Sequence, residues 1–268
     1  MIDRRVLKNR AKEVLKASYF HILSVILINL FISQTVAHAS ALLTSLGLFP
    51  VSSLSPLFTM MISFVINLGI GIFVISPLTV GVTKFIIDIS RGNNADYSAI
   101  LFSFSKGNYF KTVKAMSVRM LIGQLLSEQL IIMMRFNLFV TQNGRLPKIP
   151  DNIPVLFCYI AVVLFILFAL FLIKLSYDYY LIEYIVADNS DISCFTALRL
   201  SKTYMKGNRF AAFVLGLSMV GWYFLGMMLC FVGFIFTLPY MHAVFAQLYF
   251  ELSKETNTNY TQDNNINY

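Results

Sequence analysis

The chain has 268 residues, of which 57% are hydrophobic and only 13% charged, and it carries a formal net charge of +8. An ordinary soluble domain is about one quarter charged, so a mean hydropathy of +0.71 excludes a soluble globular fold. The runs do not alternate in polarity as barrel strands do, and several exceed the roughly 18 apolar residues that mark a spanning helix. The class is an all-α polytopic transmembrane helix bundle, and the positive charge is read as a topology signal rather than as a nucleic-acid interface.

Residues 1–18 predict a basic amphipathic helix in the membrane interface. Leu7, Ala11, Val14 and Leu15 share one helical face, while Arg4, Arg5, Lys8, Arg10, Lys12 and Lys16 take the rest. Of these, Arg4, Arg5, Lys8, Lys12 and Lys16 are the candidate contacts to anionic lipid headgroups. The first span covers 19–36. A secretory leader with Ala37-His38-Ala39 as its cleavage site is the rival reading, but the apolar run is longer than such leaders carry. Asn29 and Gln34 lie inside this span, where a bond to a neighbouring helix is the expected use.

An outer loop without Lys or Arg precedes the second span, 57–82, in which Pro77 predicts a kink. The connector Lys84–Lys114 follows, with a turn at Arg91-Gly92-Asn93-Asn94 and a short helix to Phe104 capped by Asp96. The third span, 110–134, is the most polar. Arg119 is close enough to the inner boundary to snorkel, and Arg135 stands at the far end. Glu128 lies at depth, where ionisable groups face a partner or a wet cavity. Arg119, Gln124 and Glu128 are therefore the candidate intramembrane polar site.

A second outer loop runs to the fourth span, 154–186, which is too long to cross straight. Its last turns place Tyr177, Tyr179, Tyr180 and Tyr184 as an interfacial aromatic belt. Lys174 and Asp178 are spaced to pair. Asp178 and Glu183 are not, so they make no acid–base couple and read as interfacial charge. In the second connector Asp191 is expected to cap a helix bearing Phe195, Leu198 and Tyr204, which Gly207 ends. The final apolar stretch breaks near Cys230–Gly233 into spans 210–229 and 232–252, with a single span plus an interfacial helix from Pro239 as the alternative. Gly216, Gly221 and Gly226 permit close helix approach. Residues 253–268 read as a polar disordered tail.

Of the 21 Lys and Arg, 16 fall before Tyr19, in the two connectors or at Lys254. By the positive-inside rule this favours six spans with both ends in the cytoplasm. Cys158, Cys194 and Cys230 are scattered small fillers. His242 has no second ligand at helical spacing, so no metal and no cofactor is expected.

The segment Lys106-Gly107-Asn108-Tyr109-Phe110 returns as Lys206-Gly207-Asn208-Arg209-Phe210, each copy after a short amphipathic helix. Two units of equal orientation are the parallel-repeat reading. At these connectors the chain resembles the bacterial membrane family called domain of unknown function 975. The matching pieces are Leu7-Lys8, Ala11-Lys12 and Leu15-Lys16, then Pro77-Leu78 through Gly81 to Arg91-Gly92. Ala187-Asp188, Ala197-Leu198 with Ser201-Lys202, and Met205 to Asn208 follow, with Gly221-Trp222, Leu225-Gly226 and Pro239-Tyr240 later. Residues 128–153 depart from the pattern. The resemblance implies a multi-pass protein of the bacterial plasma membrane and brings no activity. No P-loop, HExxH, GxSxG or paired ligand cluster occurs, so the chain is read as non-enzymatic. An organising or accessory protein working through its cytoplasmic face is expected, with lipid and an unidentified protein as partners. A transporter with its polar site at Gln124 and Glu128 is the alternative.

Overall fold

The computed structural model describes residues 3–45, 56–93, 96–105, 107–143, 155–189, 191–228 and 233–265. The central parts of both expected outer loops, residues 229–232 with most of the expected break, and the side chains of Arg135, Cys158 and Cys230 lie outside the described residues. Among the described residues every regular element is helical: α1 Arg4–Ser45, α2 Pro56–Ile70, α3 Ser76–Ser90, α4 Tyr109–Asn143, α5 Val155–Asp178, α6 Ile182–Asp188, α7 Cys194–Met205, α8 Arg209–Met228 and α9 Gly233–Asn265. A π turn, Gly71–Ile75, joins α2 to α3, and a 3₁₀ helix, Tyr97–Phe104, precedes α4.

Five stretches are long and apolar enough to cross a membrane: Arg4–Val36, Met61–Ser90, Tyr109–Met134, Val162–Asp188 and Arg209–Met228. They overlap the first five expected spans, the first of them taking in residues 4–18 as well. The expected sixth, 232–252, is the first part of α9 and is not among them. Pro239, Tyr240, His242 and Gln247 dilute its apolar character, and Ala243 to Tyr249 are all buried in protein. The helix starts at Gly233 and runs through Pro239 without interruption, so the alternative boundary at Pro239 is not seen.

Several boundaries differ from expectation. α1 and α4 run on to Ser45 and Asn143, past the expected ends of the first and third spans. α9 continues through Asn265, where a disordered tail was expected from 253. Leu252 is still buried there, and the Ser253 and Thr256 hydroxyls donate to Phe250 O and Leu252 O. The buried end thus seeds further turns, since propagation is far easier than nucleation. α1 carries one non-helical residue, Ser18, at φ −137°, which separates the basic segment from the first span as expected.

Proline accounts for two further features. Pro77 has no N–H for the carbonyl four residues back, which is Phe73 O. The π turn lies over this point, and the Tyr109 hydroxyl donates to Phe73 O at 2.9 Å. Ser76 Oγ takes the neighbouring Ile72 O at 2.6 Å. In α9 Pro239 leaves Ile235 O free, and the Tyr19 hydroxyl donates to it at 2.9 Å. A tyrosine from another helix meets each orphaned carbonyl, which lets proline sit inside an apolar helix.

Helix α5 ends at Asp178, and a turn over 179–181 redirects the chain into α6. The carbonyls freed there are taken by distant side chains. Ser201 Oγ donates to Asp178 O at 2.9 Å, and Arg119 donates to Tyr180 O. This turn overturns the aromatic-belt reading for Tyr180 and Tyr184. Tyr184 is 2% exposed and stacks on Tyr249 at 5.8 Å, and Tyr180 packs on Phe245 at 4.9 Å.

The core sits at the connector end of the bundle. Leu181 to Ala187 are all buried, together with Leu7, Ala11, Phe85, Ile86, Ile87, Met205 and Leu248. The other halves of the spans, such as Ile131 to Met134 and Val162 to Leu164, turn apolar side chains outward. Gly81 fixes how the first connector lies. A Cβ there would come within 2.0 Å of Ile100 O, so only glycine lets the 3₁₀ helix cross α3. Of the three later glycines expected at close approaches, Gly226 does this against Gly233 and Phe234, whereas Gly221 faces open space.

The Gly-Asn parts of the two repeated segments share one backbone geometry. Gly107 and Gly207 stand at φ 102° and 84°. Asn108 N donates to Ser105 O and Asn208 N to Met205 O, each at 3.1 Å, and Thr112 N and Ala212 N return to the asparagine carbonyls, each at 2.9 Å. The left-handed glycine stops one helix, and the asparagine carbonyl opens the next.

Candidate functional site at the connector face

Four of the five described ion pairs converge on one segment. Asp178, Glu183, Asp188 and Asp191, at the end of α5, in α6 and just after it, receive Arg209, Arg119, Arg91 and Lys111 respectively. The cations come from α3's end, α4 and α8, so the second connector is an acidic hub that ties three separate parts of the chain.

The deepest pair is Arg119–Glu183, at 3.1 Å with the Glu183 side chain 6% exposed. The guanidinium also lies 5.0 Å from the Tyr180 ring centre. Arg119 therefore points sideways into α6 rather than snorkelling. Glu183 reads as interfacial charge in sequence, and no local spacing reveals its partner 64 residues earlier. Asp178 likewise takes Arg209, from the start of α8, and Ser201 from α7 bonds its backbone. The expected i, i+4 partner, Lys174, loses to a guanidinium held in place by the Gly207 turn.

At the bundle's end Arg91 grips Asp188 with two bonds, 2.5 and 2.8 Å. The Tyr249 hydroxyl donates to the same carboxylate at 2.8 Å, and Arg91 lies 5.2 Å from the Phe250 ring centre. The Asp188 hydrogen bond holds the Arg91 pKa above its ordinary value. Lys111 meets Asp191 at 2.9 Å. That engagement removes Asp191 as the cap of α7, where Ser193 Oγ accepts from Thr196 N at 3.3 Å instead.

The candidate intramembrane site is divided. Gln124 Nε2 donates to Glu128 Oε1 at 3.2 Å, one turn along α4, and both are half-buried. Arg119 is committed to Glu183 and does not join them. The expected interhelical bond of Asn29 is absent for its Oδ1, which is buried with no hydrogen-bond partner among the described residues, as is Gln129 Oε1.

The candidate lipid contacts also resolve in an unexpected way. Leu7 and Ala11 are buried against the protein, so the apolar stripe docks on the bundle and not in lipid. α1 packs on α9 and α3, and Arg10 meets Glu251 at 2.9 Å. Arg4, Arg5, Lys12 and Lys16 stay exposed, and Lys8 is half-buried.

An open cleft of about 450 Å³ lies on the first connector, lined by Lys84, Asp88, Asn93, Asp96, Ser98, Ala99 and Phe102. Lys84 Nζ sits 4.5 Å from the Phe102 ring centre. The Ser98 hydroxyl donates to Asp96 at 2.7 Å and holds that carboxyl below its usual range. Asp96 stands at the start of the expected short helix, which is 3₁₀ and has no side-chain cap bond. Among the described residues no group of three His, Cys, Asp or Glu could hold a metal ion. The charged groups of the hub neutralise one another, an arrangement suited to holding connectors rigid.

A family model described as "Protein of unknown function (DUF975)" matches residues 1–256. No curated protein and no solved structure matches the chain.

Proposed function

We propose, for a chain that belongs to the DUF975 family of proteins of unknown function, the role of a non-enzymatic organising or accessory protein of the bacterial plasma membrane. In this reading α9 supplies a sixth crossing, and the chain ends and both connectors face the cytoplasm. Arg4, Arg5, Lys8, Lys12 and Lys16 meet anionic headgroups there, and a protein partner docks on the connectors. One observation carries the reading: the core and all the described ion pairs gather at the connector end. A face locked in this way is a platform, because interlocked cations and acids hold it in one arrangement before any partner arrives.

A transporter is the second reading, favoured by the half-buried Gln124 and Glu128 pair within an apolar span. One experiment separates the two. Cys158, Cys194 and Cys230 are replaced, single cysteines are placed at 124 and 128, and a membrane-impermeant thiol reagent is applied from each side. The accessory reading expects protection from both sides in folded protein. Labelling at either position means water reaches the pair, and transport then takes precedence.

A further inference from the structure

Three outgoing helices begin alike, not two. Lys16-Ala17-Ser18-Tyr19-Phe20 leads into the first span, as Lys106 to Phe110 leads into α4 and Lys206 to Phe210 into α8. Each start interrupts the helix, at Ser18 in the first and at Gly107 and Gly207 in the others. The helices before the first and third agree in register. Leu7 and Ala11 are buried nine and five residues ahead of Lys16, and Ala197 and Ser201 are buried nine and five residues ahead of Lys206. Lys12 and Lys202 take the same exposed step between. The middle copy is the 3₁₀ helix Tyr97–Phe104, which buries Ile100 and Ser103.

Each start is tied to the returning helix of another unit by the residue before its phenylalanine. Tyr109 of the second unit bonds Phe73 O of the first. Arg209 of the third pairs with Asp178 of the second. Tyr19 of the first bonds Ile235 O of the third. The ties run in one sense and close into a ring. At the far ends of the returning helices Arg91, Asp188 and Tyr249 meet in one network, one residue from each unit.

This ring turns three phenylalanines outward. Phe20, Phe110 and Phe210 are 79%, 69% and 76% exposed. Tyr19 holds Phe20 edge-on at 5.5 Å, and Tyr109 holds Phe110 edge-on at 5.3 Å. In the third copy arginine replaces the tyrosine, and Phe213 takes that side at 6.5 Å. Exposed cations flank them: Lys16 by the first, Lys114 by the second, Lys202 and Lys206 by the third. An aromatic ring at a span's first turn, beside cations, suits the boundary between acyl chains and anionic headgroups.

We propose that Phe20, Phe110 and Phe210 form a three-point anchor seating the ring on anionic phospholipids of the leaflet at the connector face. The proposal rests on the lipid contact of the accessory reading and gives it an address. The chain holds one tryptophan, so Trp222→Phe supplies a silent background. Into it Phe20→Trp, Phe110→Trp and Phe210→Trp are placed singly, with Phe195→Trp on α7 as a control outside the ring. Each protein, shown monodisperse and helical, is reconstituted in phosphatidylcholine–phosphatidylglycerol vesicles with chains brominated at graded depths. The expected result is one shared shallow depth for the three ring positions. Quenching there is about twofold or more stronger when bromine is carried by the anionic lipid, and the control shows no such preference. Unequal depths, quenching by aqueous iodide instead of bromolipid, or equal quenching by both lipids overturns the proposal. Thiol labelling at 124 or 128 overturns the accessory reading alone and leaves these depths unchanged.

Discussion

At residue scale the Arg119–Glu183 pair is the most exacting feature, because a carboxylate 6% exposed has little access to water. Removing one partner from a buried pair costs about 3–5 kcal/mol, whereas replacing both with apolar groups is often nearly neutral. Arg119→Met should therefore lower the melting temperature of the purified protein sharply, and Arg119→Met with Glu183→Leu should recover most of the loss. A double variant no better than the single would show that the loss lies in the Arg119 contacts to Tyr180 and not in the unpaired carboxylate. Gly81 is as strict for a steric reason: Gly81→Ala drives a Cβ into the Ile100 carbonyl. The expected cost is about 1–3 kcal/mol of overpacking, read as reduced thermal stability, with Gly221→Ala as the harmless comparison. Cys194 gives a pH test. Burial raises its pKa, Lys114 pulling only weakly the other way, and its thiol donates to Lys114 O at 3.3 Å. With the other two cysteines replaced, its maleimide labelling should be slow near neutrality. The rise with pH should come later in folded protein than in denatured protein, because the thiolate forms later. Coincident profiles would mean the thiol is open to water.

At the scale of elements, proline and tyrosine act as a couple. Tyr109→Phe leaves Phe73 O without a partner in an apolar helix, at a cost of about 1–3 kcal/mol. Pro77→Ala restores a backbone N–H for that carbonyl, so Tyr109→Phe should cost much less in the Pro77→Ala background. Equal costs in both backgrounds would separate the hydroxyl from the proline. The elements show what sequence can and cannot carry. Five helices long and apolar enough to cross a membrane were legible from apolar run length, and the Gly207 stop from the need for a left-handed residue. Pro77 marked its irregularity, because a missing N–H is a local fact. The turn at 179–181 and the α6 it launches carried no such mark. Its freed carbonyls are met by Arg119 and Ser201, far away in sequence, and Tyr180 and Tyr184 look the same in a belt as in a core. The N-terminal stripe was legible as amphipathic, but not the surface that covers it, since lipid and a protein groove ask for the same apolar face.

At the scale of the whole molecule, cohesion is uneven. One end is packed and interlocked, while much of the remainder turns apolar side chains outward. The candidate site was partly legible for this reason. Arg119 stood out because charge in an apolar span is rare, but its partner lay in a stretch whose acids look ordinary. The same unevenness bears on how the chain is made. Arg10, Arg91, Lys111 and Arg119 are all synthesised before residue 178, the start of the acidic hub, and Arg10 waits for Glu251. During synthesis the first half leaves the ribosome with its cations unmatched, and Arg119 must cross or skirt the bilayer boundary before Glu183 exists. The first half is thus a dependent intermediate, incomplete until the second connector emerges and closes the assembly.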